Sequence, residues 1–159
     1  AHTYWRRARE AGKFTKAHAG EFRGADFVAY AVEVLGAQRI EHGVRAIEDT
    51  AVLDLLLEKG ITLDVCPISN VKLGVVENAS LHPMRQLLDY GIPCTVSTDD
   101  PVSFGNTLDD EFVFLSHSLH LDKNYILKVI RHGFEAALVD NQWREERLDE
   151  LQKAFSCEA

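Results

Sequence analysis

The sequence predicts an α/β fold: a parallel sheet of about four strands with helices outside it. Three observations carry this. Short strand-like stretches alternate with longer helix-like ones along 159 residues, a length that suits about one domain. The composition is that of a globular chain, 46% hydrophobic and 26% charged. His18, His42, Cys66 and Asp99 each fall at the C-terminal end of a predicted strand, the end where α/β folds build their sites.

The opening "AHTYWRRAREAGK" reads as helix. "FTKAHA", Phe14 to Ala19, predicts the first strand. "ADFVAYAVEVLG" follows as a helix with Phe27, Ala31, Val34 and Leu35 on one face. "QRIEHG" predicts a short second strand. In "IEDTAVLDLLLEKG", Glu48, Asp49 and Thr50 suit a helix N-terminus and Gly60 its stop, with Leu53, Leu56 and Leu57 as a core stripe. "ITLDVCP" is rich in β-branched residues and predicts the third strand. Cys66 reads as a small buried residue at its end, and Ser69 and Asn70 as residues satisfying backbone groups in the loop beyond. "LHPMRQLLDYG" predicts a helix ending at Gly91, and "IPCTVSTDDP" a fourth strand stopped by Pro101. Helices follow over roughly 108–121, 124–139 and 141–155, with His117 and His120 as ordinary helix residues. Four strands are half of an eight-stranded barrel, and an open half would leave two strand edges unpaired.

The bulk numbers exclude several functions. A formal net charge of −8 argues against nucleic-acid or anionic-membrane partners, which need a basic face. It is compatible with an uncharged or weakly polar small substrate. Three cysteines, an odd number with no CxxC pair, predict a reducing, cytoplasmic setting without a disulfide framework. No apolar run approaches the ~18 residues of a membrane helix, and no signal peptide is visible.

Three motifs carry chemistry. In "HAGE", His18 is a candidate zinc ligand held at a strand end. Gly20 lets backbone approach a ligand, and Glu21 can act as a general acid if desolvation raises its pKa. The same four residues would also make an ordinary turn with Glu21 at a helix N-terminus. In "RIEHG", His42 can be a base, a metal ligand or a satisfied core histidine. "STDDP" places Asp99 and Asp100 side by side, and burying both needs a cation or a proton. A metal on Asp99 would supply the cation. Pro101 biases Asp100 to an extended conformation that could aim it toward a substrate.

Taken in order, "HAGE", "RIEHG", "CPISN" and "STDDP" resemble the C-terminal half of the adenosine/adenine deaminase family, within the metal-dependent amidohydrolase superfamily of (β/α)8 TIM barrels. The resemblance runs from about Lys13 to Leu115. It implies zinc-dependent hydrolytic deamination of a 6-aminopurine, adenosine or adenine, to the 6-oxopurine and ammonia. It also implies roles. His18 and Asp99 would be zinc ligands. Glu21 would protonate the purine at N1, and His42 would orient or deprotonate the attacking water. Asp100 would bond N7, and the Gly20 N–H would face N3. The cytidine-deaminase signature, H-x-E with P-C-x-x-C, is not in the sequence.

The chain departs from the family pattern in two respects. The family's first two zinc ligands are a His-x-His pair, and none of the seven histidines (His2, His18, His42, His82, His117, His120, His132) forms one. The expectation is therefore a single partial barrel domain, residues 1–159, whose N-terminal half lies outside it or is supplied by a partner or homo-oligomer. The residue before the site histidine is Gly in typical adenosine deaminases and commonly Asp in the adenine branch; here it is Glu41. "HGVRAIED" also resembles the adenine branch, whereas "DDPVSFGNTLDDE" resembles the nucleoside branch. The reading commits to a 6-aminopurine and leans toward the nucleoside. Two alternatives stay open: a deaminase of a related compound such as aminodeoxyfutalosine, and a non-catalytic half-barrel that binds purines or a partner chain.

Overall fold

A computed structural model describes residues 2–156 of the chain. Helix α1 (His2–Glu10) leads into strand β1 (Lys16–Ala19) and helix α2 (Ala25–Tyr30), which widens into a π-helical turn over Ala31–Leu35. Strand β2 (Arg39–His42) and a 3-10 turn (Val44–Glu48) precede α3 (Thr50–Glu58). Strand β3 (Thr62–Val65), α4 (Pro67–Lys72), α5 (Met84–Tyr90) and β4 (Cys94–Val96) complete the alternation. Helices α6 (Pro101–Phe104), α7 (Leu108–His117), α8 (Lys123–Ala136) and α9 (Asn141–Ser156) close the described chain.

The four strands pair in parallel in the order β1-β2-β3-β4. Neighbours in sequence are neighbours in space. With crossovers of one hand, this order stacks every connecting helix on the same face of the sheet. Under the helices lie Ala17, Ala19, Ile40, Leu63 and Val65, all buried in one apolar cluster with Leu56, Leu87 and Leu115. The register places Lys16, His18, Glu41, Asp64 and Thr95 on the opposite face. That face is polar and internally paired. Lys16 bridges Glu41 and Asp64, Arg39 Nε lies 2.9 Å from Asp64, and Thr95 donates to Asp64 over 2.5 Å. Strands β1 and β4 each keep one edge unpaired among the described residues.

Local signals set several boundaries. Asp49 caps α3 by accepting from the Ala51 N–H. Thr107 and Asp110 form a reciprocal capping box on α7.

Four sequence expectations need correction. The buried face of α2 and its π turn is Ala25, Val28, Ala31 and Val32, while Phe27 is 37% and Val34 42% exposed. Small residues let the helix lie close on the sheet, and Phe27 instead packs outside under the Arg23 guanidinium, 4.6 Å from its ring centroid. Leu57 is 41% exposed; the α3 core stripe is Val52, Leu53 and Leu56. Ser69 and Asn70 lie in helix α4, started by Pro67, and not in a loop. Helix α7 ends at His117, and His120 has φ 53, outside any helix. Cys66 and Cys94 are free and buried, while Cys157 lies outside the described residues. Among the described residues no helix is long and apolar enough to cross a membrane.

Candidate active site

Strand geometry brings His18 to the polar face directly, two residues along from Lys16. His42 needs a further device. Its register partner is Ala19, so simple alternation would send it to the helix-packed face beside Ile40. The backbone instead turns left-handed at His42 (φ 65) and again at Gly43 (φ 69). A left-handed non-glycine residue is costly and is kept only where its surroundings over-determine it. The His42 ring then lies against His18, centroids 5.3 Å apart, and its Nε2 is 3.5 Å from Glu21 Oε2 and 4.0 Å from Asp99 Oδ2.

Asp99 reaches the same point from beyond β4. It also sits at positive φ, 60, in the loop between β4 and α6. Ligand atoms of His18, His42 and Asp99 all lie within 4.8 Å of one another. Two imidazole nitrogens and a carboxylate oxygen form a donor set that suits zinc. The fit is good in chemistry and incomplete in number: with His42 left to face the attacking water, His18 and Asp99 are two of the three or more protein ligands that a catalytic zinc normally takes.

Gly20 forms the tight turn between β1 and Glu21. Its φ is +67, and a Cβ there would meet Val28 Cγ2 at 2.6 Å and Gly43 Cα at 3.1 Å. Only glycine brings these two strand ends so close. A pocket of about 180 Å³ opens beside it, lined by His18, Gly20, Glu21, Phe22 and Phe27. Phe22 is 64% exposed there and offers an apolar ring to a flat ligand.

Asp100 is next to Asp99, yet its carboxylate turns to its own helix. It accepts from the N–H groups of Val102 (3.1 Å) and Ser103 (3.2 Å) and from the Ser103 hydroxyl. The Ser103 hydroxyl and backbone bonds hold it below the usual carboxylate range. The structure thus gathers His18, Gly20, Glu21, His42 and Asp99, and places Asp100 at their border with its oxygens engaged elsewhere.

Sequence reasoning missed what supports this cluster. Ser69 donates to Asp99 Oδ2 over 2.6 Å, and Asn70 Nδ2 lies 3.1 Å from His42 Nδ1. Both come from α4. Fully buried Glu111 holds that helix by accepting from the Ile68 N–H (3.2 Å) and Asn106 Nδ2 (2.7 Å). Burial pushes the Glu111 carboxyl up to about 7. The signal that could have found α4 is Pro67, a residue favoured at the first helical position. Cys66 donates to Glu41 Oε1 over 3.3 Å. Burial and the Glu41 carboxylate push its thiol far up, so it is no nucleophile.

The adenosine deaminase family profile matches residues 1–154. An adenine deaminase of Cupriavidus taiwanensis is 41% identical over 151 residues, covering 95% of this chain and 43% of that protein. An adenine deaminase of Acinetobacter baylyi is 37% identical over 147 residues, covering 92% and 44%. The crystal structure of adenine deaminase from Arthrobacter aurescens superposes with TM-score 0.93 at 33% identity, over 98% of this chain and 47% of that one. A zinc-bound amidohydrolase from Burkholderia ambifaria superposes with TM-score 0.82 at 25% identity, over 98% and 46%. The chain spans less than half the length of the relatives it matches. Four consecutive parallel strands with their helices are a partial TIM barrel, as the sequence predicts.

Proposed function

The chain belongs to the adenosine deaminase family, and from that premise we propose that it is the C-terminal half of a zinc-dependent hydrolase that deaminates a 6-aminopurine. The observation that carries this is the convergence of His18, His42 and Asp99 ligand atoms within 4.8 Å, with Glu21 beside them. His18 and Asp99 are the residues of this chain that would hold the metal. A bound zinc ion supplies water activated for attack near neutral pH.

The chain's own residues do the rest. Glu21 delivers a proton to N1 as C6 becomes tetrahedral, so charge does not build on the ring. His42, fixed 3.5 Å from Glu21, bonds the attacking water. The Gly20 turn and Phe22 form the wall against which the purine lies. Asp100 meets N7 by exchanging one of its bonds to α6, and as an ionised carboxylate it accepts there from the N7–H tautomer of the free base. Of the attacking water's two protons, one leaves with the amino group as ammonia and the other restores Glu21, whose own proton stays on N1 of the 6-oxopurine.

The free base is favoured as substrate. The sequence alone leans toward the nucleoside, but three of the four proteins compared are named adenine deaminase. The missing half of the barrel would supply the His-x-His ligands. Two free strand edges, a polar sheet face and an apolar groove of about 480 Å³ between β4, α7, α8 and α9 support its docking there.

One assay tests the reading. The chain is incubated with zinc and adenine or adenosine, with and without a polypeptide supplying the N-terminal half, and the ultraviolet change of amino to oxo is followed. Turnover that requires the second half supports it. A completed barrel inactive on every 6-aminopurine sinks it, and full turnover with tight zinc by the chain alone refutes the half-site.

A further inference from the structure

Asn70 is fully buried, with both ends of its amide engaged. Nδ2 lies 3.1 Å from His42 Nδ1, and Oδ1 lies 3.3 Å from His82 Nε2. Taken alone, such a chain could run either way, because an amide can be turned and each imidazole has two tautomers. One group in it has fixed polarity. The Met84 backbone N–H points at His82 Nδ1 over 3.2 Å and can only donate. His82 Nδ1 is therefore unprotonated, and neutral His82 carries its hydrogen on Nε2. Asn70 must present Oδ1 to that hydrogen, which leaves Nδ2 to donate to His42 Nδ1. The hydrogen of neutral His42 is then on Nε2, the nitrogen that faces Glu21 at 3.5 Å and Asp99 at 4.0 Å. Burial keeps His82 neutral, pushing its pKa down to about 4.

We propose that Asn70 is a positioning residue that sets the tautomer of His42, with His82 and the Met84 amide as the anchor that orients it. His42 consequently enters the site as a hydrogen-bond donor through Nε2–H. From the sequence its role was open between orienting and deprotonating the attacking water; this tautomer orients it. The consequence for turnover rests on the deaminase reading, whereas the tautomer itself does not.

The test is the ring-nitrogen spectrum of His42 in the completed barrel, with 15N-labelled histidine and a His42→Gln variant for assignment. The expected result is a hydrogen on Nε2. Asn70→Asp keeps the shape and still accepts from His82, but accepts at His42 where the amide donated. It should move the hydrogen to Nδ1 and lower kcat about 100-fold with KM little changed. His82→Gln retains a donor where Nε2 was, and should keep the wild-type tautomer and most of the turnover. A hydrogen on Nδ1 in the wild type, or an unmoved hydrogen in folded Asn70→Asp, overturns the proposal. A moved hydrogen with unchanged kcat keeps the tautomer assignment and overturns its consequence for turnover, whereas a lowered kcat with an unmoved hydrogen is what a merely structural role would give. If Asn70→Asp does not fold, the wild-type spectrum decides. A completed barrel without deaminase activity would fail the functional reading and leave the spectra to judge the tautomer.

Discussion

The Ser69 hydroxyl donates to Asp99 Oδ2 over 2.6 Å, joining helix α4 to the loop beyond β4. Ser69 is fully buried, so no water can replace it at that position without rearrangement. The bond holds Oδ2, the oxygen that lies 4.0 Å from His42 Nε2. Partners of this kind commonly set metal affinity by about 10- to 100-fold. Ser69→Ala should weaken zinc binding by that range in the completed barrel, measured by competition with a chromophoric chelator. Unchanged affinity would show that Asp99 is held by other means.

Glu21 carries a different expectation. It lies within 3.5 Å of His42 and lines the pocket beside Gly20. Gln has the same shape and no proton to give. In the completed barrel, Glu21→Gln should keep full zinc stoichiometry and lose about 10²- to 10⁴-fold in kcat. Metal analysis and turnover on the same sample separate the two effects. Surviving turnover would remove Glu21 from the proton path.

Two buried groups outside the reaction set opposing pH trends. His82, pushed down to about 4 by burial, binds no proton in the native state until the pH falls well below its ordinary 6.5. The unfolded chain takes up that proton first, so stability falls as the pH drops from about 6.5 to 4, by about 3 kcal/mol in all. Glu111, raised to about 7 from 4.5, does the reverse. Its native state keeps a proton that the unfolded chain releases, so its contribution is full below about 4.5 and fades as the pH rises through 7. The windows overlap and largely cancel in the wild type. His82→Gln should expose the Glu111 trend, with stability falling from pH 4.5 to 7. Glu111→Gln should expose the His82 trend, with stability falling from pH 6.5 to 4. Urea unfolding at half-unit pH intervals reads both. Parallel curves for the two variants would rule the assignment out.

These contrasts show where the sequence stops being informative. Strand ends are marked by short motifs, so His18, Glu21, His42 and Asp99 are legible as a set. The aim of His42 is not, because it depends on a left-handed backbone that alternation cannot express. Nor is α4 legible by periodicity, at six residues too short for a repeat, and Ser69 and Asn70 were lost with it. The helix face after β1 failed for another reason. Bulk suggested Phe27 and Val34, whereas close packing on the sheet selected Ala25, Val28 and Val32 beside the expected Ala31.

Gly20 is where the fold and the site constrain each other most tightly. Its positive φ alone costs an alanine about 1–2 kcal/mol. The added Cβ would also stand 2.6 Å from Val28 Cγ2 and 3.1 Å from Gly43 Cα. The first clash is with a side-chain methyl and can be removed; the second is with backbone and cannot. Gly20→Ala should therefore destabilise the chain and carry Glu21 away from His42. Adding Val28→Ala should restore only part of the loss, since the φ strain and the Gly43 contact remain and Val28 leaves a small void. Denaturant midpoints of the two variants, with turnover in the completed barrel, measure this. Complete rescue by Val28→Ala would mean that Gly43 can yield, and that the β1 and β2 ends are not locked together by the absent Cβ.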